Sequence, residues 1–233
     1  MFKYVDNGGR RGGQPHDLGE LKTTNVNGSR FYVTPDGNKY PSITTVLSSD
    51  PEKKRGLMEW RKRVGEKEAN RISSQAARRG TSVHTLCEHH LYNASPEEPD
   101  SVWQKAMPDA IEMFNSIAPI LNENVNNIHG QEVALYSDRL GVAGRVDCIA
   151  EWNGTLSVID FKTSRKPKKA EWIRDYYMQC AAYAAMYYER TGIPIKDLVI
   201  AVMVENDEPQ IFHEKVFDWL PPLKELIDNF GRQ

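Results

Sequence analysis

The sequence predicts an α/β (α+β) protein with a central mixed β-sheet flanked by helices and a helical region in front of it. A length of 233 residues suits one such domain. The apolar pattern is helical over much of the first 125 residues and changes after Gly130 to short runs typical of strands. One long helical stretch then separates two groups of strands, an order that indicates an α/β or α+β core.

The composition is that of an ordinary globular chain, with 39% hydrophobic and 27% charged residues and a net charge of −2. No apolar run approaches the roughly 20 residues that span a membrane, so we expect no membrane partner. The three cysteines, Cys87, Cys148 and Cys180, are scattered and lack Cys-x-x-Cys spacing. This argues against a disulfide framework or a zinc site and favours reduced thiols in the cytoplasm.

Residues 1–28 are interpreted as a flexible leader. Glycines surround Arg10 and Arg11 there, and the segment lacks the apolar stretch of a signal peptide. Phe31 to Val33 and the following Asp36-Gly37 predict a short hairpin. Ser42 is a suitable N-cap for a short helix that follows it.

The region from 51 to 124 is predicted to be helical in two stretches, 51–92 and 101–124. Glycine and proline interrupt helices or mark their starts, and four such residues are expected to do so here: Gly65, Gly80, Pro108 and Pro119.

Five strands are predicted after Gly130, over 132–136, 142–152, 156–161, 198–204 and 211–216. Asn153-Gly154 joins the second strand to the third and is a strong hairpin signal. A helix over 170–190, ended by Gly192, precedes the last two strands. A last helix is expected over 222–230.

Charged residues on that hairpin indicate a metal site. Asp147 lies in one strand, and Asp160 and Lys162 lie on one face at the end of its partner. Two carboxylates brought together repel unless a cation lies between them, and oxygen ligands suit Mg²⁺ or Mn²⁺. A lysine beside them can orient a water and offset charge on phosphorus. The alternative is a surface ion pair, but the apolar run 156–159 indicates a buried strand.

Four motifs occur in a fixed order: Gly80-Thr81-Ser82-Val83-His84, Gly144-Arg145-Val146-Asp147, Ile159-Asp160-Phe161-Lys162-Thr163 and Gln179-Cys180-Ala181-Ala182-Tyr183. Together they resemble the PD-(D/E)XK nucleases, in the branch with RecB-type domains and lambda exonuclease. The arrangement from Tyr40 onward is most similar to the mitochondrial genome maintenance exonuclease family. Val146 stands where the superfamily name implies proline, as is common in the RecB-type branch.

The resemblance implies roles for the residues at the metal. Asp147 and Asp160 would bind one or two Mg²⁺ or Mn²⁺ ions together with the Phe161 carbonyl. Lys162 would position the attacking water, and His84 would be a further ligand or would constrain the site. Members with an iron–sulfur cluster carry four cysteines around this core, so no such cluster is expected here.

Four further residues are candidates for the same site. Gln179 and Tyr183 lie one helical turn apart, so their polar groups can reach the site or a phosphate together. Glu132 opens the strand before that of Asp147 and is a candidate ligand, as is Glu88, one turn beyond His84. The alternative for the two glutamates is a surface or capping role.

Ten positive charges lie between residues 53 and 79, interrupted by Trp60 and diluted by three glutamates. Phosphates attract such groups, and a stacking aromatic suits a single strand, whereas solvated helix faces are the alternative. The predicted nucleic-acid contacts are Trp60, Arg61, Arg63, Arg78, Arg79, Thr81, Lys166 and Lys168.

We therefore expect a metal-dependent DNA exonuclease that prefers single strands with a free end and serves replication, repair or recombination. Without a transit peptide, a bacterium or a phage-infected cell is the expected setting. The nuclease domain is expected over 29–233, with a helical DNA-binding part at 40–127 and a catalytic core at 128–233.

Three alternatives remain open: a double-strand exonuclease or endonuclease of the same fold, a non-catalytic DNA-binding module, and a hydrolase of small phosphates. Polarity, oligomeric state and protein partners are left open.

Overall fold

The computed structural model describes residues 1–5 and 18–232. Its strands are β1 (Lys22–Val26), β2 (Ser29–Val33), β3 (Lys39–Pro41), β4 (Val125–Ser137), β5 (Val142–Trp152), β6 (Thr155–Ser164), β7 (Asp197–Val204) and β8 (Gln210–Lys215). Its α-helices are α1 (Ile43–Leu47), α2 (Pro51–Val64), α3 (Glu66–Leu91), α4 (Val102–Lys105), α5 (Pro108–Asn124), α6 (Arg174–Thr191) and α7 (Val216–Phe230). A 3₁₀ turn, Ala170–Trp172, precedes α6.

The main sheet has the strand order β4-β5-β6-β7-β8. The pair β6–β7 is parallel and is connected through α6, whereas the other neighbours are antiparallel. The sheet is therefore mixed, as the sequence predicts. A second, antiparallel sheet consists of β1, β2 and β3.

Helices cover both faces of the main sheet. Helices α1, α6 and α7 contribute to the apolar cluster on one face, and α3 and α5 contribute to the cluster on the other. Strand β7 alternates between them, with Leu198, Ile200 and Val202 in the first cluster and Val199 and Ala201 in the second. Burial on both faces explains why this strand is a continuous apolar run.

Strands β5 and β6 diverge at the centre of the sheet. They pair only from Trp152–Thr155 at the turn to Cys148–Ile159. Beyond that point β5 continues beside β4, and β6 continues beside β7. The turn itself has positive φ at Asn153 (50°) and Gly154 (77°), the conformation that an Asn-Gly hairpin favours.

Several local predictions are confirmed. The Ser42 side chain accepts a hydrogen bond from the Thr45 N–H and caps α1. Gly65, with φ of 86°, separates α2 from α3, and Pro108 begins α5. Gly192 ends α6 in the left-handed conformation.

Two predicted helix breaks are wrong. Gly80 lies inside the continuous helix α3, and a Cβ added there would lie 3.6 Å from the Thr163 hydroxyl. That is an ordinary van der Waals distance, so α3 packs against the end of β6 at this position without a break. Pro119 lies inside α5, where Ile117 and Leu121 are fully buried on either side of it. Tertiary packing therefore maintains the helix through the proline.

The flexible leader is also wrong for the parts of 1–28 that are described. Phe2 is buried, Tyr4 forms a parallel bridge with Ile128, and residues 22–26 form β1. Residues 6–17 lie outside the described residues. The partners of Phe2 and Tyr4 lie about 90 or more residues away along the chain, so no local pattern could indicate these two contacts.

No α-helix in the described ranges has the length and apolarity needed to cross a bilayer.

Gly144 on β5 provides a test of this packing. A Cβ at this position would lie 2.7 Å from Tyr183 Cε1 and 3.2 Å from Ile43 Cγ2, so Gly144→Ala must displace one of them. We expect a loss of about 1–3 kcal/mol in the free energy of unfolding, measured by urea denaturation. Gly56→Ala is the matched control, since nothing lies within 4 Å of the added carbon. Equal stability of both variants would contradict the packing described.

Candidate active site

Three acidic residues lie at corresponding positions along three adjacent strands. The β4–β5 register places Glu132 opposite Asp147, and the β5–β6 register, if continued, places Asp147 opposite Asp160. The strands diverge there, and the Phe161 N–H donates to Asp147 Oδ2 at 2.8 Å across the gap. The fork between β5 and β6 therefore fixes one carboxylate oxygen of Asp147.

Helix α3 brings a histidine to the fork. His84 Nδ1 lies 3.4 Å from Asp147 Oδ2. His84, Glu132 and Asp147 each offer a ligand atom, and these atoms lie within 4.8 Å of one another. Glu132, a candidate ligand from its position at the start of its strand, belongs to this set. Its backbone has a φ of 50°, which is uncommon for a non-glycine residue and is often found at functional sites.

Asp160 lies deeper and has a different environment. Its side chain is only 1% exposed and forms an ion pair with Lys162. Neither carboxylate oxygen has a hydrogen-bond partner of good geometry among the described residues. The Lys162 Nζ also lies 5.0 Å from the centre of the Tyr176 ring, a cation–π contact. Lys162 is thus held between a carboxylate and an aromatic face.

The carboxylates are electrostatically crowded. Burial raises the pKa of Asp160 to about 6, with Asp147 adding to the effect against the opposing charge of Lys162. Burial also raises the pKa of Glu132 to about 7, and the charges of Asp147 and Glu88 act in the same direction. Burial and the neighbouring carboxylates thus disfavour the charged forms of both groups more strongly than the nearby positive side chains favour them.

His84 and Asp147 form a coupled pair in which each favours the charged form of the other. Burial lowers the pKa of His84, but the charge and hydrogen bond of Asp147, together with the charge of Asp160, outweigh burial and raise that pKa. Burial raises the pKa of Asp147, but the charge and hydrogen bond of His84, the charge of Lys162 and the Phe161 N–H together outweigh burial and lower that pKa. When protonated, His84 thus places positive charge where the acidic groups converge.

These residues fit a divalent metal ion. One imidazole and two carboxylates converge, and a third carboxylate, Asp160, has buried oxygens without hydrogen bonds. A cation would favour the charged forms of Glu132 and Asp160, whose pKa values are raised by burial and by the neighbouring carboxylates. Oxygen-rich ligands suit Mg²⁺, and the addition of a histidine also suits Mn²⁺. The predicted roles of Asp160 and of the Phe161 carbonyl as ligands stay predictions.

An open cleft of about 460 Å³ leads to these residues, with His84, Glu132, Asp147 and Lys162 on its walls. Gln179 and Tyr183 line it from α6, and the Gln179 amide donates to the Tyr183 hydroxyl at 3.1 Å. Tyr183 as a whole is buried, with 2% of its surface exposed. The two residues therefore act as one polar unit on the cleft wall, as their spacing predicts.

Two arginines in the cleft were missed by the sequence reasoning. Arg145 donates to the Glu132 carbonyl at 2.5 Å and to Glu20 at 2.7 Å. It is two residues before Asp147, so the period-two alternation of β5 could have identified it. Arg30 comes from β2, in a separate sheet, and no sequence signal connects it to the motifs.

The predicted nucleic-acid contacts fall into three groups. Thr81 lines the cleft, while Arg63, Arg78 and Lys166 are exposed outside it. Three are partly buried: Trp60, Lys168 and Arg61, the last held by Glu66 and Asn70.

Arg79 differs from all three groups. It is 3% exposed and donates to Glu205 at 2.9 Å. It therefore does not share the exposed face of its neighbour Arg78, contrary to what a continuous basic surface would require.

Comparison with known proteins gives three findings. Residues 53–218 match the family model of the PD-(D/E)XK nuclease superfamily. Mitochondrial genome maintenance exonuclease 1 of Mus musculus is 31% identical over 182 residues, covering 74% of this chain and 49% of that protein. The Homo sapiens protein of the same name is 31% identical over 137 residues, covering 56% of this chain and 38% of that protein.

The chain thus spans about half or less of the curated relatives it matches. A solved structure from Eubacterium rectale, described as a candidate exonuclease, is 13% identical and covers 66% of each chain with a TM-score of 0.41.

Metal binding tests the convergence at the fork. Glu132→Gln keeps the size of the side chain and removes its charge, so we expect Mn²⁺ affinity to fall about tenfold or more, measured by calorimetry. Glu112→Gln, on α5 and outside the cleft, should bind Mn²⁺ like the wild-type protein. A loss of that size in Glu88→Gln, with no loss in Glu132→Gln, would contradict the ligand set.

Proposed function

The chain belongs to the PD-(D/E)XK nuclease superfamily, and from this premise we propose that it is a metal-dependent DNA exonuclease that degrades single strands from a free end. The observation that carries the proposal is the convergence of His84, Glu132 and Asp147 beside the buried Asp160–Lys162 pair. The exonuclease name of the curated relatives supports action at ends.

The proposed chemistry is hydrolysis of a phosphodiester bond. His84, Glu132, Asp147 and Asp160 would hold the metal. A bound divalent ion supplies charge stabilisation at phosphate oxygens and lowers the pKa of a water.

Lys162 would orient that water and offset the negative charge that develops on phosphorus. Its contacts with Asp160 and the Tyr176 ring hold the ammonium in place on the cleft wall. Arg30 and Arg145, which also line the cleft, would attract the phosphate backbone.

The helical part over 40–127 would guide the strand. Helix α2 has no buried residue and carries six basic residues, with Leu57 and Met58 more than half exposed. A basic helix with exposed apolar side chains suits a flexible strand whose bases are unpaired. We propose that α2 and the first turns of α3 form the path by which a single strand reaches the cleft.

End-labelled linear single-stranded DNA and a circle of the same sequence test this function. In the presence of Mg²⁺ or Mn²⁺ we expect degradation of the linear strand only, and none in EDTA. Lys162→Ala should lower the rate about 100-fold or more, because a charge aimed at the reacting phosphate is lost. DNA binding should change little. Because the variant leaves the buried Asp160 without its ion-pair partner, its melting temperature should fall, so the rates are compared at a temperature at which circular dichroism shows both proteins folded.

Lys196→Ala is the matched control, because Lys196 is exposed just before β7, at the edge of the sheet opposite to the end of β6. Cutting of the circle would indicate an endonuclease, and degradation of duplex alone a double-strand exonuclease. Binding of every DNA without metal-dependent cleavage would overturn the enzyme and leave a binding module.

A further inference from the structure

A buried arginine next to the cleft makes only part of the hydrogen bonds it can make. Arg79 lies on α3 with 3% of its surface exposed, and its Nη1 donates to Glu205 Oε2 at 2.9 Å. Its Nε is buried without a hydrogen-bond partner among the described residues. A guanidinium has several N–H donors in one plane, so a single carboxylate oxygen leaves some of these donors unused.

A second arginine converges on the same carboxylate oxygen. Arg165 Nε lies 3.6 Å from Glu205 Oε2, and Arg165 is exposed. Two arginines therefore share one acceptor. Such convergence on one oxygen is the arrangement that binds phosphate oxygens in proteins.

These residues line a small pocket, here called the arginine pocket. It has a volume of about 70 Å³ and is formed by Arg71, Ile72, Gln75, Ala76, Arg79, Arg165 and Glu205. A single water needs a cavity of about 10–15 Å³, so a tetrahedral anion fits this pocket and a nucleobase does not. Three arginines face two carboxylates, Glu205 and the Glu68 that pairs with Arg71, which leaves an excess of one positive charge.

The pocket lies on the path to the fork. Arg79 directly precedes Gly80 and Thr81, which line the cleft, and His84 follows five residues later on α3, about 7.5 Å along the helix axis. Arg165 follows β6 and Glu205 follows β7, at the carboxyl ends of two parallel strands. Ligands of open α/β sheets bind beyond this edge.

We propose that the arginine pocket binds a phosphate group of the DNA strand, one or two nucleotides from the bond that is cut, and that the Glu205 carboxylate occupies the phosphate position until the strand arrives. The proposal rests on the proposed nuclease function for the identity of the strand. Phosphate would displace Glu205 and bridge Arg79 and Arg165. It would accept hydrogen bonds from more of the Arg79 N–H groups than one carboxylate oxygen does.

Glu205 is placed so that it can leave. Its side chain is 33% exposed, and the three residues after it are an exposed turn, Asn206 to Glu208. On its other side lies a pocket lined by four further acidic residues, Asp109, Glu112, Asp207 and Glu208. Their negative charges repel that of Glu205, so the two arginines are the main groups that hold the Glu205 carboxylate in place.

Thermal unfolding with inorganic phosphate tests the exchange without DNA. Glu205→Gln removes the acceptor charge and leaves Arg79 buried and unpaired, which destabilises the fold. Phosphate should then replace the carboxylate and raise the melting temperature by about 3 °C or more at ten times its dissociation constant, relative to chloride at equal ionic strength. The wild-type protein and Glu123→Gln, an exposed glutamate on α5, should show a smaller rise.

Arg165→Gln keeps the test valid even if Glu205→Gln does not fold, because Arg165 is exposed. Binding to single-stranded oligonucleotides is measured by anisotropy in EDTA over a range of salt concentrations. Loss of one phosphate contact should lower the slope of log affinity against log salt by about 0.7. Arg139→Gln, an exposed arginine between β4 and β5, is the matched control and should keep the slope.

Oligonucleotides with a 5′-phosphate, a 3′-phosphate or neither distinguish the source of the phosphate. A preference for one phosphorylated end that disappears in Arg165→Gln identifies a terminal phosphate. An equal loss for all three identifies an internal phosphodiester. Either result supports the pocket.

An unchanged salt slope in Arg165→Gln, together with a Glu205→Gln variant that is indifferent to phosphate or does not fold, would overturn the proposal and leave a structural ion pair. Neither readout requires cleavage. Failure of the pocket is thus distinguishable from failure of the nuclease function.

Discussion

The divergence of β5 and β6 is the constraint on which the site depends. A continuous antiparallel pair would place Asp147 and Asp160 directly opposite each other on a closed ladder. Instead the strands separate after Cys148 and Ile159, and the Asp147 carboxylate accepts the Phe161 N–H across the gap. The hydrogen bond fixes Asp147 at the opening, while β6 continues beside β7 and buries Asp160.

Separation of the strands would be unfavourable without groups that compensate for the exposed backbone and for the buried charge. Lys162 neutralises Asp160 from the same face of β6, and His84 on α3 provides positive charge to Asp147. Buried charges of this kind are retained only when they are paired. The pair His84–Asp147 therefore also connects α3 to β5. The acidic residues nevertheless remain crowded: burial raises the pKa of Glu132, and the charges of Asp147 and Glu88 raise it further. Negative charge at the fork is thus incompletely balanced by the protein, and a cation bound there would be stabilised.

The sequence predicted the parts of this site that lie close together along the chain. Period-two alternation placed Asp160 and Lys162 on one face, and Asn153-Gly154 predicted the hairpin. It did not distinguish the shallow Asp147 from the deep Asp160, because burial depends on where β5 and β6 separate. Arg30 comes from a different sheet, and the Arg79–Glu205 pair joins residues 126 positions apart, so local patterns could not show either contact.

Gly80 illustrates how one misjudged residue changes the interpretation of the whole region. As a break, it would have separated the basic helix from the histidine motif. As an interior residue, it leaves α3 continuous, so that one helix carries both Arg79 and His84. The helix holds these two side chains at a fixed separation of five residues. With a phosphate in the arginine pocket and a metal ion at His84, as we propose, that separation would determine which bond lies at the fork.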